Sequence, residues 1–229
     1  MQVESGNAKE GLGATVTNFK DVFEGGNAHG TYHAVNRGAK PEFYEQYNEI
    51  YLEAMKMLDE GRGDEAEKML DAAAYMTEEK WRDSAPNIVT TLGKNVALDA
   101  FLAGAAYTVV GPFLGLCNAA AATAVIGDTM SSHATWLEVG SANAPTYTAP
   151  RKTVAWSAAA SGNKASSGTM TFNITSNGTV GGAFLVYFTS AANTIDTTTG
   201  TLYSAGAFSG GNKVVVTSDS LTVTYTAGL

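Results

Sequence analysis

Cysteine is nearly absent from this sequence, which has one such residue among 229. A disulfide within the chain is therefore impossible, and a small scaffold held together by disulfides is excluded. The one cysteine, Cys117, follows the apolar residues Phe113, Leu114 and Leu116. Such an apolar run predicts a buried, unreactive thiol rather than a nucleophile.

Histidine is also scarce, and His29, His33 and His133 are the three examples. On a strand, His29 and His33 would share one face but lie too far apart to bind one metal ion without further ligands. No cluster of cysteine or histidine supplies those ligands. We therefore expect no metal site and no cofactor, and we predict exposed or hydrogen-bonded histidines instead.

Positively charged residues are fewer than negatively charged ones. The sequence has 14 Lys and Arg residues and 22 Asp and Glu residues, which gives a net charge of -8. Binding to a nucleic-acid backbone requires clustered Lys and Arg. The sequence therefore predicts no nucleic-acid partner. A negative balance by itself mainly favours solubility and identifies no other partner.

Long hydrophobic runs are missing as well. The best candidate for a membrane span, residues 100–117, is interrupted by three glycines and Pro112. This pattern predicts a helix end followed by a buried strand, with strand character over residues 107–110. Residues 1–13 lack the basic and apolar regions of a secretory signal. We therefore expect a soluble chain with no membrane partner.

The charged residues that are present lie mostly in the first part of the chain. Residues 1–95 contain 27 of the 36 charged side chains, whereas residues 96–229 are rich in Ala, Gly, Ser and Thr. The two compositions predict different architectures, helical in part of the first segment and β-structured in the second.

A helical hairpin is predicted at about residues 41–77. Pro41 suits the first turn of a helix and Gly61 its end, and Asp64 with Glu67 three positions later suits the start of a second helix. Apolar residues recur at helical spacing in both segments: Phe43, Tyr47, Ile50, Ala54 and Leu58, then Ala66, Met69, Leu70, Ala73 and Met76. Each helix is too short to be stable alone, so the pair must pack on another element.

Alternating apolar and hydroxylated residues predict β-strands in the rest of the chain. Met170, Phe172 and Ile174 follow this pattern, and residues 221–226 repeat it. Residues 184–188 are apolar on both faces, which predicts a central strand covered on both sides. Asn177-Gly178 predicts a hairpin turn, because this dipeptide favours tight turns between paired strands.

The fold class that follows is mainly β: an antiparallel β-sandwich or barrel-like domain over residues 31–229. Strands at residues 31–35 and 87–90 flank the helical hairpin, which is therefore predicted to be an insertion between two strands. A third helix is expected over residues 94–102, with Val96, Leu98, Phe101 and Leu102 directed inward. Residues 1–30 contain few apolar side chains, and we expect an extended N-terminal arm that lies along a neighbouring subunit of a homo-oligomer.

Catalytic chemistry has little support in the sequence. Glu42, Glu45, Glu49 and Glu53 have the spacing of a solvated helix flank. The acidic residues after position 95 form no recognisable pair; they are Asp99, Asp128, Glu138, Asp196 and Asp219. We therefore nominate no catalytic, cofactor-binding or metal-binding residue and expect a protein that is not an enzyme.

Several runs in the last two-thirds of the chain nevertheless form a specific pattern. They are residues 87–95, 98–99, 101–104 and 107–116, then 128–130 with His133 and Trp136, 151–153 with Trp156, 200–206, 214–215 and 221–226, together with residues 29–35. In these runs the chain resembles a family of virion structural proteins from tailed bacteriophages. It departs from that family between about residues 37 and 77, where the helical hairpin replaces a short turn.

The resemblance implies a non-enzymatic component of the virion, assembled in the cytoplasm of the bacterial host. We expect a capsid decoration (cement) protein that binds the major capsid protein across subunits, with aromatic anchors among Tyr32, Trp81, Tyr147 and Tyr203. The alternative is a tail or fibre component, either an adaptor or a receptor-facing β-module. A third hypothesis is a particle-associated glycan hydrolase, which would require a cleft with two carboxylates.

Overall fold

A computed structural model of the protein describes residues 29–102, 110–118, 124–187 and 190–228. The strands in these ranges are β1 His29–Ala39, β2 Thr77–Val89, β3 Phe113–Asn118, β4 Lys152–Thr153, β5 Asn163–Ala165, β6 Met170–Asn173, β7 Gly178–Tyr187, β8 Thr201–Ala207, β9 Lys213–Val215 and β10 Ser220–Gly228. The helices are α1 Tyr44–Asp59, α2 Gly63–Ala72 and α3 Thr91–Leu102, with short 3-10 turns at Pro41–Phe43, Ala74–Met76 and Ser190–Asn193. The arm predicted for residues 1–30 and the strand predicted over residues 107–110 fall almost wholly outside these ranges.

All strand pairs belong to one antiparallel sheet with the order β4-β3-β7-β8-β2-β1-β10-β5, in which β6 also pairs with β10 and β9 with β7. The two ends of this sheet meet. Trp156, just after β4, forms a bridge with Ser166, just after β5, and the Ser157 amide donates to the Ala165 carbonyl over 3.0 Å. The sheet therefore curls into a barrel-like body, as the sequence predicted.

The interior of the curled sheet follows the predicted alternation. Leu221, Val223 and Tyr225 on β10 are fully buried, and the threonines between them are half-exposed on the outer face. Phe172 on β6 is also fully buried in the same core. Because the side chains of a strand point alternately to its two faces, each of these strands contributes one apolar face to the core and one hydroxylated face to the outside.

Strand β7 is buried on both faces, as predicted. Its residue Leu185 packs in the interior core, whereas Phe184 and Val186 pack in a second core on the outside of the sheet. Met130 and Trp136, from the segment between β3 and β4, belong to this second core. That segment therefore forms an outer layer over β3, β7 and β8.

The helical hairpin connects β1 to β2, two strands that pair directly with each other. The prediction of an insertion between two neighbouring strands is confirmed. Tyr47 and Tyr51 of α1 pack with Ala73 and Met76 in a small core of their own. The Tyr51 hydroxyl also donates to the Ile174 carbonyl over 2.8 Å, which ties the hairpin to the barrel.

Three local predictions are wrong. Helix α2 begins at Gly63 and no side chain caps it, so Asp64 lies in the first turn instead of at the cap. Asn177-Gly178 does not join a hairpin, because β6 pairs with β10 whereas β7 pairs with β3, β8 and β9. Leu98 points outward with 56% of its surface exposed, whereas Val96 of the same helix is buried as predicted; the side chains of Phe101 and Leu102 lie outside what the structure describes. The errors at Asn177-Gly178 and at Leu98 concern choices that long-range packing makes.

Candidate functional site

The described residues contain no group of three or more His, Cys, Asp or Glu side chains that could hold a metal ion. Cys117 is buried, as predicted, and burial raises the pKa of its thiol well above the ordinary value. His33 is exposed on β1. The His133 ring stacks on Trp136 with 3.9 Å between ring centroids, and its Nδ1 lies 2.8 Å from the Trp136 carbonyl oxygen.

A set of exposed aliphatic side chains lies around α3. Leu92 and Leu98 on this helix are 40% and 56% exposed, and Val125 and Ile126 are 47% and 52% exposed. The Thr91 amide donates to the Ile126 carbonyl over 3.0 Å, so the start of α3 and residues 125–126 adjoin. We call these four residues the assembly face. Exposed apolar groups that lie near one another mark interaction sites more often than isolated ones do. The backbone bond places the start of α3 beside residues 125–126, and Leu98 lies six residues after Leu92 on the same helix.

The backbone of the sheet fixes the position of α3. Gly93 lies so close to β8 that a Cβ atom there would come within 2.3 Å of the Tyr203 carbonyl oxygen. The Thr90 hydroxyl donates to the Leu202 carbonyl over 2.6 Å and accepts from the Gly93 amide over 3.0 Å. The first turn of the helix therefore packs directly on β8, and Leu92 and Leu98 are left exposed.

The other half of the assembly face depends on a buried tryptophan. Trp136 is 1% exposed, and its indole Nε1 donates to the Asp128 carboxylate over 3.1 Å. The same carboxylate oxygen accepts from the Val125 amide over 3.0 Å. Asp128 thus links Trp136 to the backbone that carries Val125 and Ile126.

A buried ion pair joins two parts of the outer layer, with Arg151 placed immediately before β4. Arg151 is 1% exposed and donates from Nε and Nη2 to the two carboxylate oxygens of Glu138, each over 2.6 Å. Arg151 also donates to the Ala192 and Thr197 carbonyls over 2.7 and 2.9 Å. Burial raises the pKa of Glu138, and the Arg151 guanidinium opposes this rise.

Two of the five late acidic residues, Glu138 and Asp196, are brought together by the fold, although sequence reasoning found no pair. The Asp196 amide donates to Glu138 over 3.0 Å, and the Asp196 carboxylate accepts from the Ser141 hydroxyl and the Ala142 amide. Both carboxylates are therefore engaged in holding loops. Retaining and inverting glycosidases need two carboxyl groups that flank a substrate, which this arrangement does not provide.

The other acidic side chains singled out in the sequence are either buried in hydrogen bonds or exposed to solvent. Asp219 is 1% exposed and accepts from the Lys80 ammonium over 2.7 Å and from the Asn36 side-chain amide over 2.8 Å. Asp99 is exposed on α3. Glu42 in the turn before α1 and Glu45, Glu49 and Glu53 on α1 are all exposed, as predicted for a solvated flank.

A groove of about 620 Å³ lies between the helical hairpin and the outer face of the sheet. Its helical side includes Tyr47, Ala66 and Leu70, together with the acidic residues Asp64, Glu67 and Asp71 of α2. Its sheet side is formed by Arg37 of β1, Ser220 and Thr222 of β10, and Thr171 and Asn173 of β6. The strand register explains this second set, because Arg37 pairs with Ser220 and Ser220 with Asn173. We call this feature the hairpin groove.

The aromatic anchors proposed from the sequence are not on the assembly face. Tyr32 and Tyr147 are 0% and 4% exposed and belong to the interior core. Trp81 and Tyr203 are half-buried; Trp81 donates to the Val214 carbonyl over 2.9 Å, and Tyr203 contacts the edge of Tyr187. The sequence signal that was missed is the pair Val125-Ile126 in a charge-poor segment.

Lys152 is half-buried. Burial lowers the pKa of its ammonium group from 10.5 to about 8. Its ammonium lies 5.6 and 5.8 Å from the ring centroids of Tyr147 and Phe172 and donates to the Thr148 carbonyl over 2.7 Å. The ammonium group is therefore stabilised by two cation–π contacts and one hydrogen bond to a carbonyl oxygen.

We expect the variant Lys152→Met to stabilise the protein near neutral pH by about 1 kcal/mol, because methionine does not require the burial of a charge. In the native sequence, the unfolded state binds more protons than the folded state between pH 8 and 10.5. The free-energy cost of burying a charged Lys152 side chain therefore disappears as pH rises through that window. Urea denaturation of both proteins at about pH 7 and about pH 10 tests this difference. An advantage of the variant that is equal at the two pH values would contradict it.

Comparison of the chain with protein-family models, with curated proteins and with solved structures finds no match. The resemblance to tailed-phage virion proteins therefore stays a prediction, carried by the residues quoted for it. Among the helices of the described segments, none combines the length and the apolar character needed to cross a bilayer.

Proposed function

We propose that this chain is a non-enzymatic structural component of a tailed-phage particle, a decoration protein that binds across subunits of the capsid. The observation that carries the proposal is the assembly face: four aliphatic side chains, each 40–56% exposed, on a helix and a loop that are fixed to the sheet. The sequence resemblance supports the kind of particle, and the assembly face supplies the means of attachment.

The energetics of the assembly face fit a site that is repeated by symmetry. Covering a half-exposed leucine, valine or isoleucine contributes about 1 kcal/mol. Four such side chains give a weak contact when one copy binds alone. Many copies on a symmetric shell, linked through more than one contact each, can bind firmly because the later contacts form at a high effective concentration.

The first experiment is a copy count of this chain in purified particles of the phage that encodes it, measured by quantitative mass spectrometry against the major capsid protein. A ratio close to that of the capsid subunits is expected for a decoration protein. A count of a dozen or a few dozen would indicate a tail or fibre component instead. Absence of the chain from the particles would reject both assignments.

The assembly face itself is tested with two matched variants. Leu98 on α3 and Leu52 on α1 are both leucines on helices, and each is 56% exposed. Leu98→Asp places a charge in the assembly face and is expected to weaken binding to particles that lack the protein by roughly 10- to 100-fold. Leu52→Asp introduces the same change outside that face.

Co-sedimentation of each purified variant with the particles measures the effect. Leu52→Asp is expected to bind like the unmodified chain, and the melting temperatures of the two variants show that both remain folded. Equal binding by Leu98→Asp and Leu52→Asp would contradict the role of the assembly face.

A further inference from the structure

We propose that the hairpin groove binds a short neutral oligosaccharide. This inference is independent of the particle assignment, since it rests on the groove between the helical hairpin and the outer face of β1, β10 and β6. The groove measures about 620 Å³. Sites for small molecules in proteins span a range of about 300–1,000 Å³, so two or three sugar rings can be accommodated.

Tyr47, a side chain of the groove, has a hydroxyl group that is not used within the described part of the protein. Tyr47 is 5% exposed and lines the groove, yet its hydroxyl makes no hydrogen bond with any described residue. Its neighbour Tyr51, one turn later on α1, donates to the Ile174 carbonyl over 2.8 Å. A hydroxyl group that lines a groove and has no protein partner binds water or a ligand there. The Tyr47 hydroxyl is therefore a group with capacity for a ligand.

Tyr47 of α1 and Arg37 of β1 both line the groove, the first from its helical side and the second from its sheet side. Burial raises the pKa of Tyr47, Asp219 raises it further, and Arg37 lowers it. Arg37 lies on β1, and Asp219 comes immediately before β10.

Hydroxyl and amide groups line the sheet side of the groove. Thr171, Asn173 and Ser220 line the groove, and their side chains form no hydrogen bond within the part of the chain that the structure describes. Together they offer hydroxyl and amide groups that can donate and accept at once. A sugar presents hydroxyl groups with the same dual capacity, whereas an apolar ligand would leave all of these groups without partners.

The charges on the two sides of the groove disfavour both anionic and cationic ligands. The α2 side carries Asp64, Glu67 and Asp71, all exposed, and the sheet side carries Arg37. Three carboxylates repel an anionic ligand, and the guanidinium at the sheet side repels a cationic one that enters fully. Carboxylates and a guanidinium can all bind the hydroxyl groups of a neutral sugar, as acceptors and donor respectively. The walls also contain Leu58, Leu70 and Ala74, against which the C–H face of a sugar ring can pack.

The experiment uses the full purified chain and three neutral probes: maltotriose, cellotriose and chitotriose. Titration of each sugar is followed by isothermal calorimetry and by NMR shifts of the backbone amides of residues 171–173 and 220–222. We expect at least one sugar to bind with a Kd of about 1 mM or tighter. The shifts should be confined to the groove.

Two matched variants test the role of the hydroxyl. Tyr47→Phe removes one hydroxyl group that has no partner, and Tyr44→Phe removes one from the same helix outside the groove, where Tyr44 is 48% exposed. Loss of one hydrogen bond to the sugar should weaken binding by roughly 3- to 10-fold in Tyr47→Phe and leave Tyr44→Phe unchanged. Asn173→Ala should weaken binding to a similar degree. Melting temperatures check that the variants are folded.

The proposal is overturned if none of the three sugars binds at concentrations of about 10 mM. Equal affinities of Tyr47→Phe and Tyr44→Phe would also overturn it, because the hydroxyl would then have no part in binding. Trilysine serves as a cationic probe, and tighter binding of trilysine than of any sugar would assign the groove to basic peptides instead. None of these outcomes bears on the copy count in particles, so the two proposals fail separately.

Discussion

Replacement of Arg151 by methionine is expected to lower the free energy of unfolding by about 3–5 kcal/mol, because it leaves the Glu138 carboxylate buried without its counter-ion. Glu138 is 7% exposed, and both of its oxygens accept from Arg151 over 2.6 Å. The variant also frees the carbonyls of Ala192 and Thr197 from the guanidinium. Urea denaturation followed by fluorescence of the three tryptophans measures the loss.

The destabilisation should depend on pH in a defined direction. Burial raises the pKa of Glu138, and in Arg151→Met the guanidinium that opposes this rise is gone. A carboxyl group with a raised pKa in the folded state takes up a proton on folding. The stability of the variant therefore falls as pH rises from the unfolded pKa of Glu138 through its raised folded pKa. We expect a smaller loss at about pH 5 than at about pH 8.

The double variant Arg151→Met with Glu138→Leu serves as the control for this interpretation. With both charged groups replaced by apolar ones, the uncompensated charge is absent, and stability should return to within about 1–2 kcal/mol of the native value. If the double variant is as unstable as Arg151→Met, the loss arises from packing and the carbonyl contacts instead of the buried charge.

The hairpin insertion and the strand pattern could be predicted because they depend on local periodicity. Apolar residues at three- and four-residue spacing determine which side of α1 is buried, and Tyr47 and Ala54 are buried as expected. Alternation along β10 likewise predicts which residues enter the core. Tyr51 also belongs to the buried stripe of α1 but was not predicted, since its position depends on the carbonyl of Ile174, which lies 123 residues away.

The closure of the sheet and the pairing of its strands could not be predicted in the same way. The turn signal at Asn177-Gly178 is local, but its two flanking strands pair with different partners. The Asn177 side chain instead accepts from the Thr217 amide over 2.9 Å. A turn dipeptide therefore reports a change of direction without specifying which strands become neighbours.

The candidate sites depend on that long-range pairing. The sheet side of the hairpin groove exists because β10 lies between β1 and β6, which brings Arg37, Ser220 and Asn173 into one row. The assembly face exists because residue 126 meets the start of α3. On an isolated helix, Leu98 and Val96 are equally apolar, and only the sheet beneath α3 decides that Val96 is buried and Leu98 is exposed.

The second large effect is expected at Trp136, which is 1% exposed and packs against Phe184 with 5.1 Å between ring centroids. Trp136→Ala should lower the free energy of unfolding by about 3–5 kcal/mol, because it leaves a large cavity in the second core. It also removes the indole N–H that donates to Asp128. The Asp128 carboxylate then keeps its hydrogen bond from the Val125 amide but loses the one from Trp136.

A consequence for the assembly face follows, even though Trp136 itself is not exposed. Because Asp128 connects Trp136 to the backbone at Val125, the loop that carries Val125 and Ile126 should open more often in Trp136→Ala. Hydrogen–deuterium exchange at the Val125 amide is expected to accelerate more than exchange at the amides of α1, which lies in the hairpin.

Trp136→Phe separates the hydrogen bond from the packing. Phenylalanine keeps most of the ring contact with Phe184 but cannot donate to Asp128, so the loss should be about 1–2 kcal/mol, with faster exchange at Val125 retained. A variant Trp136→Ala that keeps its stability within about 1 kcal/mol would show that the second core relaxes to fill the space. If exchange at Val125 stays slow in both variants, Asp128 holds the loop without the indole, and the assembly face depends on the contact between Thr91 and Ile126 instead.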